Sequence, residues 1–517
     1  MIRIAVLSDP HLHDVRFGEP AGVPAFVRSL ADSLHSTRVF NESEAAVRAA
    51  LDAVAAEGIR LCMIVGDLTD DGQPANWQAV SDLLADYTRC HGIRFFATPG
   101  NHDQWSMTGK PLAKNMVDAD GGVRACAGRD FPHCEGADIC PGMRMVGYHD
   151  MMACAGELGY HPQRADLHWE TPFGTAPDPA RRASACDLSY LVEPVEGLWL
   201  LSIDANVYLP DGQGGYSDCS KEGWNAVLRH KSYLLDWMRD VAGRAGAANK
   251  RLVAFSHYPV VDVFHGCTTE LARLPGSRAG ARRMPEPEVT RAIAATGLQS
   301  HFSGHWHVDS TAQAEQGGLV NVSVPSTVSY PAGWKCLELS AEGASIGDRP
   351  LDAVPDFDAW FSRYRAEAAR TRHGSSVMDA ADYRQFLDRQ FRTVVLKRRL
   401  SEDWPLGMRT MVENDSLADM VSRLGPVEMG LPDIPAADVF VDWYRLREAG
   451  GGAVADVSPE RHALYTELMR TYGHRDFAPG SDEAVVVVFL RTLGLLLGGA
   501  DNKRAALDRL RAVAVPC

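Results

Sequence analysis

Leu61-Cys62-Met63-Ile64-Val65-Gly66-Asp67-Leu68-Thr69-Asp70-Asp71 is a short apolar run that stops on glycine and a cluster of carboxylates. A run this short, closed by turn-forming residues, reads as a strand buried on both faces, because a helix needs a longer stretch with a 3.6-residue period. The same grammar holds on either side. Upstream, Ile2 to Leu7 is apolar and ends in Ser8-Asp9-Pro10-His11. Downstream, residues 93–97 are apolar except for Arg94 and end in Thr98-Pro99-Gly100-Asn101-His102-Asp103. Two amphipathic helices separate the three runs. One carries Val47, Leu51 and Val54, with Asn41 and Glu44 ahead of it at capping-box spacing. The other carries Trp77, Val80, Leu84 and Tyr87. Strand, helix, strand, helix, strand is a βαβαβ unit, which predicts an α/β fold with a parallel sheet and right-handed crossovers.

The rhythm lapses over residues 104–185, which are rich in Gly, Cys, Met and His. They read as an insertion over the sheet edge, or a lid. It returns with a strand at 197–203, a helix at 224–241, a strand at 251–255 ending at Ser256-His257, and a helix at 286–295. A strand at Ser300 to Ser303 then ends in Gly304-His305-Trp306-His307. Short strands at 319–324, 334–339 and 344–346 follow without helices and read as hairpins closing a second sheet. From residue 351 the period is helical throughout: Tyr383, Leu387, Phe391 and Val394 form one stripe, and further helices fall at 437–447, 459–471, 483–497 and 502–513. The expected organisation is a catalytic domain over 1–350 and an all-α C-terminal domain over 351–517.

Composition bounds the function. The 517 residues are 45% hydrophobic and 23% charged, which excludes a disordered chain, a collagen-like fibre and a polytopic membrane protein. With 52 basic and 67 acidic residues the formal charge is −15, against a partner such as long nucleic acid that is bound by bulk positive charge. The eleven cysteines include no CxxC pair. The tightest group, Cys126, Cys134, Cys140 and Cys154, fits no zinc knuckle, so free thiols in a reducing compartment are expected. The most apolar segment, 484–497, is interrupted by Arg491 and is too short to span a bilayer. With no leader pattern at the N-terminus, the expectation is a cytoplasmic protein without a membrane partner.

The chemistry-bearing residues all lie just past strand ends, where ligands bind in an open parallel sheet. They are Asp9 and His11, then Asp67, then Asn101 and His102, then His257, then His305 and His307. Asp9/His11 and His305/His307 are two apart, a spacing that places both side chains on one side of extended backbone. Imidazole, carboxylate and one amide oxygen, with no thiolate, suit Mn, Fe, Co, Ni or Zn. Seven ligands exceed one tetrahedral site with an open position. They suit two ions about 3.5–4 Å apart that share a carboxylate, hold a bridging hydroxide and clamp a phosphoryl group. Each residue alone has an ordinary explanation as a turn or a satisfied histidine. Five ligand clusters at successive strand ends on one sheet edge do not.

Asp9-Pro10-His11, Gly66-Asp67, Gly100-Asn101-His102-Asp103, His257 and Gly304-His305-Trp306-His307 resemble the motif set of the calcineurin-like metallophosphoesterases, in order, across about residues 1–345. The resemblance implies a four-layer αββα sandwich. It implies that Asp9, His11, Asp67 and His307 hold one metal and Asp67, Asn101, His257 and His305 the other, with Asp67 bridging. His102 would be the non-ligand histidine that protonates the leaving group, oriented by Asp70 or by Asp103, with Asp70 slightly favoured. Asp70 stands where purple acid phosphatases carry a tyrosine, and Asp71 where Ser/Thr protein phosphatases carry an arginine. Gly66-Asp67-Leu68-Thr69-Asp70 is closer to class III cyclic-nucleotide phosphodiesterase-like members.

The expected activity is therefore a dinuclear phosphohydrolase, with Mn, Fe or Zn, that cleaves a small organic phosphodiester such as a cyclic nucleotide by attack of the metal-bridging hydroxide. The alternatives are a phosphomonoesterase or nucleotide pyrophosphatase on the same site and, from another class, a non-catalytic interaction scaffold. Arg273, Arg278, Arg282 and Arg283 could reach a second phosphate, although solvated loop charges are the commoner case. Trp105, His149, Tyr160, His161 and Trp169 in the insertion could stack on a base, although aromatics more often fill core. The helical tail offers a surface for homo-oligomer formation or a cover for the site.

Overall fold

The computed structural model describes residues 1–17, 26–132, 135–275, 283–341, 343–371, 376–426 and 430–513. Twelve strands make two sheets. β1 (Ile2–Leu7), β2 (Leu61–Ile64) and β3 (Arg94–Ala97) are parallel neighbours. The second sheet uses β4 (His168–Glu170), β5 (Tyr190–Val195), β6 (Leu198–Ile203), β7 (Arg251–Ser256), β8 (Ser300–Ser303), β9 (Ser310–Gln313) and β10 (Val320–Ser323). β11 (Gly333–Ser340) and β12 (Gly343–Pro350) form a hairpin. The spatial orders are β12-β11-β1-β2-β3 and β9-β10-β8-β7-β6-β5-β4. The hairpin expected to close the second sheet instead pairs antiparallel with β1 and extends the first, Ile4 opposite Leu337. Only 319–324 of the three short runs joins the second sheet.

The alternation of side chains along β6 shows the layering. Leu198 and Leu200 belong to the core shared with the first sheet, whereas Trp199, Leu201 and Ile203 belong to a separate core on the other face. Period-two alternation with both faces apolar is what a strand sandwiched between two layers requires. The first sheet is covered by α1 (Ser43–Ala56) and α2 (Pro74–His91), whose Val47, Leu51, Val54, Trp77, Val80, Leu84 and Tyr87 are all buried. The second is covered by α3 (Tyr233–Ala247) and α4 (Pro287–Ala294) through Leu234, Met238, Val241, Val289 and Ile293. The result is the αββα sandwich.

Two local expectations fail for identifiable reasons. Asn41 does not cap α1, which begins after Glu42 without a side-chain cap. Its amide instead accepts from Arg28 N at 2.8 Å and donates to Arg28 O and the Tyr364 hydroxyl. The helix expected over 224–241 breaks at Lys231 and Ser232, because Lys231 turns inward to donate to Cys186 O and Asp204 O.

The 104–185 insertion is partly regular. It holds a three-stranded sheet (Ala113–Val117, Val123–Ala127, Asp138–Ile139), a short strand pair and helices at Tyr148–Cys154 and Pro179–Ala185. Tyr160 and Trp169 fill core, the Trp169 indole donating to Gly159 O. Nine cysteines among the described residues are free thiols; Cys134 lies outside those residues.

Beyond β12 the chain is helical: α5 (Phe361–Thr371), α6 (Tyr383–Thr393), α7 (Ala436–Glu448), α8 (Pro459–Tyr472) and α9 (Asp482–Val513) are its main elements. Trp404, Phe440, Trp443 and Phe489 make its aromatic centre. This region is fastened to the sandwich. α9 packs on β9 and β12, Lys503 bridges Asp309 and Asp348, and the Glu367 carboxylate accepts from Leu30 N and Ala31 N. Among the described residues no helix is long and apolar enough to cross a membrane.

Candidate dimetal centre

The seven expected ligands converge past the ends of β1, β2, β3, β7 and β8. Their nitrogen and oxygen atoms form two groups, Asp9 with His11 and His307, and Asp67 with His257 and His305. In the first group His307 Nε2 lies 3.3 Å from Asp9 Oδ1 and 3.4 Å from His11 Nε2. In the second, His257 Nε2 lies 3.2 Å from both His305 Nδ1 and Asn101 Oδ1. One oxygen joins the groups: Asp67 Oδ2 is 3.2 Å from His257 Nε2 and 3.7 Å from His11 Nε2. The His305/His307 pair is thus divided between the groups, while Asp9 and His11 share one.

The pairing does not arise from extended backbone. Asp9, His11, Asp67, His305 and His307 have φ of 46°, 43°, 51°, 68° and 56°, in the left-handed region. Each such non-glycine residue costs of order 1–3 kcal/mol and persists only where its surroundings fix it. Here hydrogen bonds do so. Asp9 accepts from His305 N at 3.1 Å and from Ser8 Oγ, and Asp67 Oδ1 accepts from His102 N at 2.7 Å. Two glycines permit the close approach. A Cβ on Gly304 would overlap Ser8 Oγ and Asp9 Oδ2, and one on Gly100 would overlap Asp67 Oδ1.

The donor set fits divalent ions. Asp9 and Asp67 are buried carboxylates, 0% and 2% exposed, which need a facing positive charge. His307 Nδ1 is engaged by Ser329 Oγ at 2.7 Å and His257 Nδ1 by Val65 O at 3.0 Å, so Nε2 of each is left as the ligand atom. Burial lowers the His257 pKa, but the Asp67 carboxylate more than offsets it and raises it to about 9. Burial, then the Arg38 charge, pushes His11 well below its ordinary value; burial, His257 and Arg283 do the same to His305. Burial raises Asp67, yet His257, His102 and His11 hold it well below the usual carboxylate range. The pocket thus draws positive charge to Asp67 and disfavours it on His11 and His305, and a metal requires its imidazole ligands neutral.

His102 stands beside the first group, its ring 5.0 Å from that of His11. Neither residue expected to orient it does so. Asp70 is fully buried, with its carboxylate taken by Lys114 at 2.6 Å, Arg38 at 2.8 Å and Arg28 at 2.9 Å. Burial pushes Asp70 up, but Lys114 and the two arginines hold it well below the usual range. Asp103 accepts from Gly100 N, Thr69 N and Thr69 Oγ1, and burial beside Asp67 raises it to about 6. The carboxylate on His102 Nδ1 is that of Asp71, whose other oxygen meets Lys114 Nζ at 2.9 Å. The positive φ of Asp71, 67°, swings it toward the histidine.

Arg28, Arg38 and Lys114 were missed by the sequence reading. They come from an irregular stretch and from the insertion, and carry no motif. Among the loop arginines, Arg273 pairs with Glu270 and Arg283 Nη1 lies 3.3 Å from His305 Nε2; Arg278 and Arg282 fall outside the described residues.

The chain matches the calcineurin-like phosphoesterase family profile over residues 2–309. No curated protein matches it. Among solved structures, a dimetal phosphatase from Danio rerio aligns with 11% identity and a TM-score of 0.36, covering 68% of this chain and 96% of its own. A purple acid phosphatase from yellow lupin (Lupinus luteus) aligns with 11% identity and a TM-score of 0.35, covering 68% and 51%. A phosphopantetheinyl hydrolase from Mycobacterium tuberculosis gives 13%, 0.27, 63% and 89%.

Proposed function

This chain belongs to the calcineurin-like phosphoesterase family, and from that premise we propose that it is a dinuclear metal-dependent phosphohydrolase acting on a small organic phosphodiester, a cyclic nucleotide being one such substrate. The observation that carries the reading is Asp67 Oδ2, set within ligand distance of both histidine groups. Asp9, His11, His307 and Asp67 would hold one ion, and Asp67, Asn101, His257 and His305 the other. Mn, Fe and Zn all suit these donors. Such a pair supplies Lewis-acid polarisation of the phosphoryl group and acidified water.

The chain's own residues do the rest. Asp71 holds His102 through Nδ1 and leaves Nε2 to deliver a proton to the departing oxygen. Lys114 fixes Asp71, and Asp70 gathers Lys114, Arg28 and Arg38 behind it. Arg28 also pairs with Asp32 at 3.0 Å, so three cations meet three carboxylates and the cluster serves to hold Asp71, and through it His102, in place. The same centre would serve a phosphomonoesterase or a pyrophosphatase. Turnover of bis(para-nitrophenyl) phosphate and para-nitrophenyl phosphate by the metal-loaded protein decides between diester and monoester. Hydrolysis of neither would overturn the enzymatic reading in favour of a scaffold.

A further inference from the structure

The helical tail supplies a wall of the cavity that opens from the candidate metal site. This cavity has a volume of about 450 Å³ and is lined by His305 and His307 together with Arg283, Arg398, Arg399 and Arg447. The last three arginines belong to the tail. Only two carboxylates share the lining, Asp403 and Glu448, so the lining has a surplus of two positive charges. Glu448 serves two guanidiniums, Arg399 at 3.1 Å and Arg447 at 3.5 Å. Arg398 pairs with Glu402, outside the lining. Arg283 has no carboxylate within ion-pair distance among the described residues and approaches only His305. Arg447 is 8% exposed, and its Nε has no partner among the described residues. Gathering like charges in a partly desolvated cavity is unfavourable unless an anion completes it. Phe264, Tyr330 and Phe391 give the same cavity an apolar side that suits an organic body.

We propose that the substrate carries a second anionic group, phosphate or carboxylate, joined by an organic spacer to the scissile phosphate and held by Arg398 and Arg447 of the tail. The inference rests on the hydrolase reading for which phosphate sits at the metals, and its test separates the two. Calorimetry on the full-length, metal-loaded protein compares ω-carboxyalkylphosphonates of graded spacer length with the matching alkylphosphonates. At the best length the doubly anionic ligand is expected to bind about tenfold more tightly, the weight of one charge-assisted hydrogen bond. Arg398→Gln and Arg447→Gln should each bring that ratio toward one. Arg447 is the more buried, so the half-exposed Arg398 and the variant-free wild-type ratio keep the test valid if R447Q does not fold. No advantage for the second anion at any spacer length, or an advantage untouched in R398Q, would overturn the inference. A clear advantage in a protein that hydrolyses no phosphoester would leave this binding site standing and sink only the hydrolase reading.

Discussion

Asp71→Asn replaces one oxygen with an NH₂ and leaves the volume unchanged. Lys114 Nζ, 2.9 Å from the outer oxygen, claims whichever oxygen remains, so the amide NH₂ is turned toward His102 Nδ1. The imidazole then loses the acceptor that holds Nδ1–H and orients the ring. A hydrogen bond to a charged group is worth about 1.5–3 kcal/mol, which converts to about a 10- to 150-fold loss in kcat. Lys114 keeps Asp70 at 2.6 Å and none of the seven ligands is touched, so fold and metal content should persist. The assay is kcat on two diesters that differ only in the leaving group, para-nitrophenolate and an alkoxide, with metal measured by elemental analysis. The loss should be large for the alkoxide, which needs a proton, and small for nitrophenolate, which departs without one. An equal loss on both, or one that tracks lost metal, would refute the claim that Asp71 acts by positioning His102.

His102→Ala should retain both metals and lose about 10²- to 10⁴-fold in turnover, whereas Asp67→Ala should lose metal and activity together; elemental analysis beside the diester assay checks both. Gly304→Ala, whose Cβ would strike Asp9, should cost the ion held by Asp9, His11 and His307, while Gly100→Ala, striking the shared Asp67, should cost both, read as metal stoichiometry. Glu42 is buried against the Tyr364 hydroxyl, and burial raises its pKa to about 7 from the ordinary 4.5. The folded chain therefore holds this proton more tightly than the unfolded one. Its stabilising contribution is full below the unfolded pKa and is lost as pH rises through about 7. Glu42→Gln should match wild type in urea unfolding at about pH 4 and exceed it by about 3 kcal/mol at about pH 8; no gain at the higher pH would refute the assignment.

The candidate ligands were legible as a cluster because both signals are local. A buried strand declares itself as an apolar run, and the residue that ends it lies on the sheet edge where ligands collect. What escaped the sequence depends on contacts between distant segments. β5 contains Glu193 and Pro194, which argue against a central strand. In the structure a register shift between Val192 and Val195 accommodates them, and Glu193 is satisfied by Lys250, Trp199 Nε1 and Gly197 N. The two helices expected at 483–497 and 502–513 are one, α9, because Gly498-Gly499 marks a close approach of helix to sandwich: a Cβ on Gly499 would come within 2.9 Å of His265. Asp70 and Asp71 are neighbours of identical chemistry. Which of them meets His102 is settled by a positive φ and by Lys114, some forty residues on in the insertion, and neither is written in the motif.

The same contacts explain how a chain of net charge −15 can favour a small anion. Net charge governs association with long polyanions, whose phosphates sample the whole surface. A small ligand feels only what lies within about 8 Å, the screening length at physiological salt. Within the site the cations are arranged in two sets. Arg28, Arg38 and Lys114 stand behind His102, and Arg283, Arg398, Arg399 and Arg447 line the cavity next to His305 and His307. The first set is balanced by Asp70, Asp71 and Asp32, so it positions His102 rather than offering charge to the ligand. The second keeps a surplus, with Glu402, Asp403 and Glu448 set against four guanidiniums, and most of it comes from the helical tail. A sandwich without that tail would keep the seven candidate ligands and His102 but lose three of the four guanidiniums lining the cavity, so under the proposed function the tail would bear on the choice of phosphoester rather than on its cleavage.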